Sequence, residues 1–208
     1  MQITLDAHLA RVYGAKSPQE LAEAYDLWAE SYDRDMLEDL GWGGPEAAAT
    51  VLAAHAATDA PVLDVGAGTG LAGESLRKHG FAQIFAADLS ERMVALARAR
   101  GVYAAVHHVS PGALPFGDGE FGSVVAVGVL TQGHAGPESL AEWVRITRPG
   151  GHIAFTLRPD LHEQLGYRHA AAVLEIEKKW SLLQETEDQP GFRRLQSKPY
   201  RVWVYRVN

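Results

Sequence analysis

The chain has 208 residues, a formal net charge of −7 and no cysteine. That length fits one domain around a single core, and the acidic balance argues against a large nucleic-acid footprint, which needs a basic face. The missing cysteines exclude disulfides, a thiolate nucleophile and zinc–thiolate sites, and no other His/Asp/Glu spacing suggests a metal.

Residues 1–57 read as a helical region. Leu5, Leu9 and Val12 recur at helical spacing. Ser17-Pro18 then looks like an N-cap followed by a first-turn proline. Beyond it Leu21, Tyr25, Trp28 and Tyr32 share one helix face, while Glu20, Glu23, Asp26, Glu30 and Asp33 make the opposite face acidic. Gly41-Trp42-Gly43-Gly44-Pro45 breaks the pattern before an alanine-rich helix over about 45–57. From Pro61 onward strands and helices alternate. Strands are expected at 61–65, 81–88, 102–109, 121–129 and 152–158. Helices are expected at 70–79, at 90–101 between a Ser90 cap and a Gly101 stop, at 137–148, and at about 160–179. Pro149-Gly150-Gly151 reads as a turn. Two last strands, near 181–187 and 199–207, are joined through Pro190-Gly191. This rhythm predicts an α/β fold: a Rossmann-like, doubly wound, mostly parallel sheet of seven strands with an antiparallel C-terminal hairpin. A single domain over 1–208 is expected, with the N-terminal helices as a lid region. No apolar run reaches the ~20 residues of a membrane helix, and MQITLDAHLARVYG is not a basic stretch followed by an apolar one. A cytoplasmic protein with no membrane partner is expected.

The segment VLDVGAGTG at 62–70 runs from a buried strand straight into Gly66, Gly68 and Gly70. Glycine weakens strands, and a cluster of it at a strand end is explained when a ligand must approach the backbone. The next strand ends at Asp88, whose carboxylate can accept from both hydroxyls of a ribose. The dinucleotide fingerprint G-x-G-x-x-G would need a small residue at position 71, where Leu71 stands. Asp64, just before the turn, would repel a pyrophosphate and suits a ligand carrying an ammonium and a sulfonium. Both features argue against a nicotinamide dehydrogenase.

These residues resemble the class I S-adenosylmethionine-dependent methyltransferases. VLDVGAGTG is similar to their first motif and DLSERMVALARARG at 88–101 to their second. LPF at 114–116 leads into their fourth strand, and RITRPGGHIAF at 145–155 into their fifth. A closer resemblance, carried by AYDLWAESYD at 24–33, by 127–151 and by YRHAAAVLEIEKKW at 167–180, is to the methyltransferase-like 27 group.

The resemblance implies S-adenosylmethionine as cofactor and S-adenosylhomocysteine as product. It implies that Asp64 orders the methionyl ammonium and that Gly66, Ala67, Gly68 and Gly70 form the turn against the ligand. Asp88 would hold the ribose, with Leu89 and Met93 on the adenine; Met93 as plain core is the competing reading. Ser110 stands where the family often has an acid accepting from the adenine amino group. Gly122 stands where the family commonly has an acid, a structural position. Tyr25, Trp28 and Tyr32 would cover the cofactor mouth, or in the case of Trp28 pack the helix onto the sheet.

Methyl transfer needs a positioned nucleophile and excluded water, and a base only when the acceptor must lose a proton. His134, after the fourth strand, is the candidate base, against a plain solvated loop histidine, and Tyr25 is the second catalytic candidate. His107 and His108 are neighbours on a strand, point to opposite faces and read as structural. The expected function is methyl transfer to a small-molecule acceptor by a monomer or homodimer. Alternatives are a protein that binds the cofactor without transferring methyl, or another reaction on the same site, such as cyclisation or decarboxylation.

Overall fold

In the computed structural model, residues 3–110, 112–192 and 197–208 are described. Met1 and Gln2, at the start of the expected helical region, lie outside them, as does part of the expected final hairpin. The elements in chain order are α1 (Leu5–Gly14), α2 (Pro18–Arg34), a π-helical turn (Asp35–Asp39), α3 (Gly44–Ala53), β1 (Val62–Val65) and α4 (Leu71–Lys78). Then follow β2 (Ile84–Asp88), α5 (Glu91–Arg100), β3 (Ala105–His108), β4 (Phe121–Ala126), α6 (Ser139–Ile146) and β5 (Thr147–Leu157). The chain ends with α7 (Pro159–Gln164), α8 (Tyr167–Ile176), β6 (Trp180–Glu185) and β7 (Arg201–Val207).

Local chemistry sets the boundaries. The Ser17 hydroxyl accepts from the Glu20 N–H at 3.1 Å, with Pro18 in the first turn of α2. The Ser90 hydroxyl accepts from the Met93 N–H at 3.1 Å, and Gly101 ends α5 in the left-handed conformation.

The sheet runs β3-β2-β1-β4-β5-β7-β6. The first five strands are parallel, and β7 lies antiparallel between β5 and β6. The chain moves outward from β1 to β3 and then returns to the other side of β1 with β4. The strand order therefore reverses between β1 and β4, and a crevice opens off their carboxyl ends.

Side-chain alternation sorts the two faces. Val62, Ile84, Val125, Ala154 and Val204 pack with Leu52 of α3 and Leu76 of α4. Leu63, Val124, Ile153, Phe155 and Trp203 pack on the opposite face with Trp143 of α6 and Tyr167 and Leu174 of α8. The helices α1 and α2 form a separate apolar cluster through Val12, Leu21, Ala24 and Trp28, joined by Met36 and Leu40.

Three expectations are corrected. The single helix over about 160–179 is two helices, α7 and α8, separated at Leu165–Gly166. Pro149-Gly150-Gly151 is not a free turn but lies inside β5, where the pairing with β4 shifts register between Phe121 and Ser123. β6 ends at Glu185 and β7 begins at Arg201, with a bridge between Gln189 and Tyr200, so Pro190-Gly191 does not join the two strands directly; residues 193–196 of this link lie outside the described residues.

Candidate active site

Gly66, Gly68 and Gly70 all take positive φ, at +65°, +56° and +100°. At Gly66 a Cβ would sit 2.5 Å from Val129 Cγ2, so only glycine lets β1 turn beneath the loop after β4. The turn is pinned to β2: the Gly66 and Ala67 N–H groups both donate to the Ala87 carbonyl, at 2.8 and 3.2 Å.

Asp88, at the end of β2, holds this turn. Its Oδ2 accepts from the Gly68 N–H at 2.8 Å and its Oδ1 from the Ser90 N–H at 2.9 Å. Each oxygen retains acceptor capacity toward the crevice it lines. Burial pushes the Asp88 pKa upward, and the backbone N–H groups of Ser90 and Gly68 oppose that.

The crevice is a cavity of about 530 Å³. Gly66, Gly68, Asp88, Leu89, Met93 and Ser110 line it, with Tyr25, Tyr32 and His134 on its far wall. Met93 is also part of the core, almost fully buried. A second cavity of about 140 Å³ lies beyond that wall. Tyr25, Tyr32, Val127, Gly128 and His134 line both cavities, so the two adjoin along these residues. Trp28 lines only the second cavity, its Nε1–H donating to Asp35 Oδ2 at 2.8 Å.

Within this shared lining the Tyr25 hydroxyl and His134 Nε2 are 2.7 Å apart. His134 Nδ1 lies 3.1 Å from the Gln132 carbonyl, which can only accept. Nδ1 therefore carries the proton, and Nε2 accepts from Tyr25. Burial lowers the His134 pKa and raises that of Tyr25 well above its usual value, so at neutral pH both are uncharged.

Asp64 does not line the cavity. Alternation turns it to the same face as Val62, beneath the glycine turn, where Tyr103 donates to its Oδ2 at 2.7 Å. Ala67 and Gly70 shape the turn without lining the cavity either. Among the described residues no group of three or more His, Asp or Glu is placed to hold a metal, and no helix is long and apolar enough to cross a membrane.

Several residues here escaped sequence reasoning. Tyr103 packs against Gly73, where a Cβ would meet its ring at 2.3 Å. Asp26 accepts from the Ser90 hydroxyl and from the Arg92 N–H, the latter at 3.1 Å. Asp33 accepts from the Thr69 hydroxyl and from Arg100. The acidic face of α2 thus grips the glycine turn and α5. A helix with acids at these positions reads in sequence like any solvated face.

A methyltransferase-domain profile matches residues 63–155, the segment from β1 to β5. Human methyltransferase-like protein 27 is 34% identical over 172 residues, covering 77% of this chain and 68% of the human protein. The chain belongs to the class I S-adenosylmethionine-dependent methyltransferase family. Demethylmenaquinone methyltransferase of Thermobifida fusca is 33% identical over 144 residues, covering 66% of this chain; the match spans 61% of that enzyme's length. A solved S-adenosylmethionine-dependent methyltransferase from Thermotoga maritima shares the fold, with a TM-score of 0.63 at 17% identity, covering 88% of this chain and 97% of its own.

The methyltransferase uses S-adenosylmethionine, and its first cavity fits that molecule. Its volume lies within the ~300–1,000 Å³ of small-molecule sites. The Asp88 carboxylate retains acceptors suited to ribose hydroxyls. Leu89 and Met93 offer apolar surface for a base, and the Gly66–Gly68 backbone stands open. The faces of Tyr25 and Tyr32 suit a sulfonium.

Proposed function

We propose that this methyltransferase acts on a small-molecule acceptor, and that Tyr25 and His134 receive the acceptor's proton. The observation that carries this reading is the hydrogen-bonded Tyr25–His134 pair set between two adjoining cavities. When bound, S-adenosylmethionine supplies a methyl on a sulfonium whose leaving group is a neutral thioether. The protein's own task is then to orient the acceptor, exclude water and take a proton. Helices α1 and α2 supply one side of the site through Leu9, Val12, Leu21, Tyr25 and Tyr32. An acceptor in the second cavity meets the cofactor cavity at the shared lining, beside the Tyr25 hydroxyl. Its proton passes to the Tyr25 oxygen as the Tyr25 proton moves to His134 Nε2. The Gln132 carbonyl holds the ring so that Nε2 stays the receiving atom.

The small volume of the second cavity, about 140 Å³, also supports a small molecule over a polymer. The test is incubation with methyl-labelled S-adenosylmethionine and a cell lysate, followed by separation into low-molecular-weight, protein and nucleic-acid fractions. Label is expected in the low-molecular-weight fraction. Label confined to protein or nucleic acid overturns the reading.

A further inference from the structure

The two cavities differ in charge. The cofactor cavity is lined by Asp88, Glu138 and Glu142 and by no lysine or arginine among the described residues. The second cavity is lined by Arg158 and Lys198 and, among the described residues, by no aspartate or glutamate.

Both cations are organised by one carboxylate outside the cavity lining. Arg158 donates from Nε and Nη2 to Asp160, at 3.0 and 2.7 Å, and Lys198 Nζ donates to Asp160 Oδ2 at 2.6 Å. Two cations on one carboxylate leave a net charge of about +1. Arg158 Nη1 has no hydrogen-bond partner among the described residues. Arg158 directly follows the last residue of β5, at the N-cap position of α7, and its guanidinium is held by Asp160. The fork is therefore held ready for one more acceptor group.

Trp28, Met36, Trp42 and Leu130 give this cavity an apolar and aromatic side, beside the polar Thr131, Thr156 and Ser197. A volume near 140 Å³ matches the ~150 Å³ of a cavity that takes a single benzene ring. We propose that the second cavity is the acceptor subsite and that it takes a single-ring organic anion, the ring among these side chains and the anionic group on Arg158 and Lys198. This rests on the small-molecule reading above and narrows it.

The test is calorimetric titration of protein saturated with S-adenosylhomocysteine, using benzoate and its neutral counterpart benzamide as probes. Benzoate is expected to bind roughly tenfold more tightly than benzamide, the scale of one charge-assisted contact. R158Q should erase that preference while leaving S-adenosylhomocysteine affinity unchanged. K198Q should reduce the preference and carries the test if R158Q fails to fold. Equal binding of the two probes, no binding of either, or a preference that survives both substitutions overturns the proposal. In a parallel assay with menadiol, a neutral two-ring hydroquinone, methylation without any benzoate binding overturns the anionic acceptor but keeps the small-molecule reading. Label found only in macromolecules, as above, removes that reading instead.

Discussion

Tyr103 donates its hydroxyl proton to Asp64 Oδ2 at 2.7 Å, beneath the glycine turn rather than inside the larger cavity. The other oxygen, Oδ1, is buried with no hydrogen-bond partner among the described residues. Burial pushes the Asp64 pKa up to about 7, with the Tyr103 bond opposing the shift. A carboxyl raised in this way holds a proton in the folded chain that the unfolded chain has already released. Its contribution to stability therefore declines as pH rises from about 4 to about 7, by up to about 4 kcal/mol. Urea denaturation across that range should show the decline, and Asp64→Asn should flatten it. An identical pH slope in wild type and variant would refute this.

The Tyr25–His134 pair predicts a pH profile. Because burial lowers the His134 pKa, the rate of methyl transfer should rise with pH and reach its plateau below the ordinary histidine value of about 6.5. His134→Gln should lower the turnover number by about 100-fold or more with little change in cofactor affinity. Tyr25→Phe should fall in the same direction, and the double variant should be no worse than the more severe single one, since the two act as a unit. Additive losses would separate their roles.

Asp88 already accepts two backbone N–H groups, so its replacement has two consequences. Asp88→Ala should weaken binding of S-adenosylhomocysteine by about 1–3 kcal/mol through lost charge-assisted bonds, measured by calorimetry. Asp88→Asn should recover part of this, since an amide oxygen can still accept from one N–H. Unchanged affinity in the alanine variant would sink the ribose assignment.

The grip of α2 on α5 is the fourth test. Asp33 accepts from Thr69 in the glycine turn and from Arg100 at the end of α5, while Arg100 also pairs with Glu74 at 2.7 Å. Asp33→Ala should release α2 locally. Amide exchange across residues 18–34 should quicken by roughly tenfold, while β1 and β4 keep their protection. Uniform acceleration across the sheet would mean that the contact supports global stability instead.

What the sequence determined alone was what depends on near neighbours in the chain. The alternation of strands and helices, the Ser17 and Ser90 caps, the glycine turn and the acid ending β2 are each set within a few residues, by side-chain period, capping chemistry and backbone sterics. The sheet class and the crevice at its strand ends follow from their order. Tertiary structure decided whatever depends on distant partners. Tyr25 and His134 are 109 residues apart, and only the docking of α2 over the loop after β4 joins them. Strand parity took Asp64 away from the cavity, and Tyr103, from the approach to β3, supplied its partner. The acidic stripe of α2 had the pattern of a solvated surface, yet Asp26 and Asp33 bind α5 and the glycine turn. Arg158 and Lys198 meet only because the sheet brings the end of β5 beside the loop before β7, and Asp160 holds both. A hydrogen bond across such separations leaves no period in the chain, because its partners are selected by packing and not by local conformation.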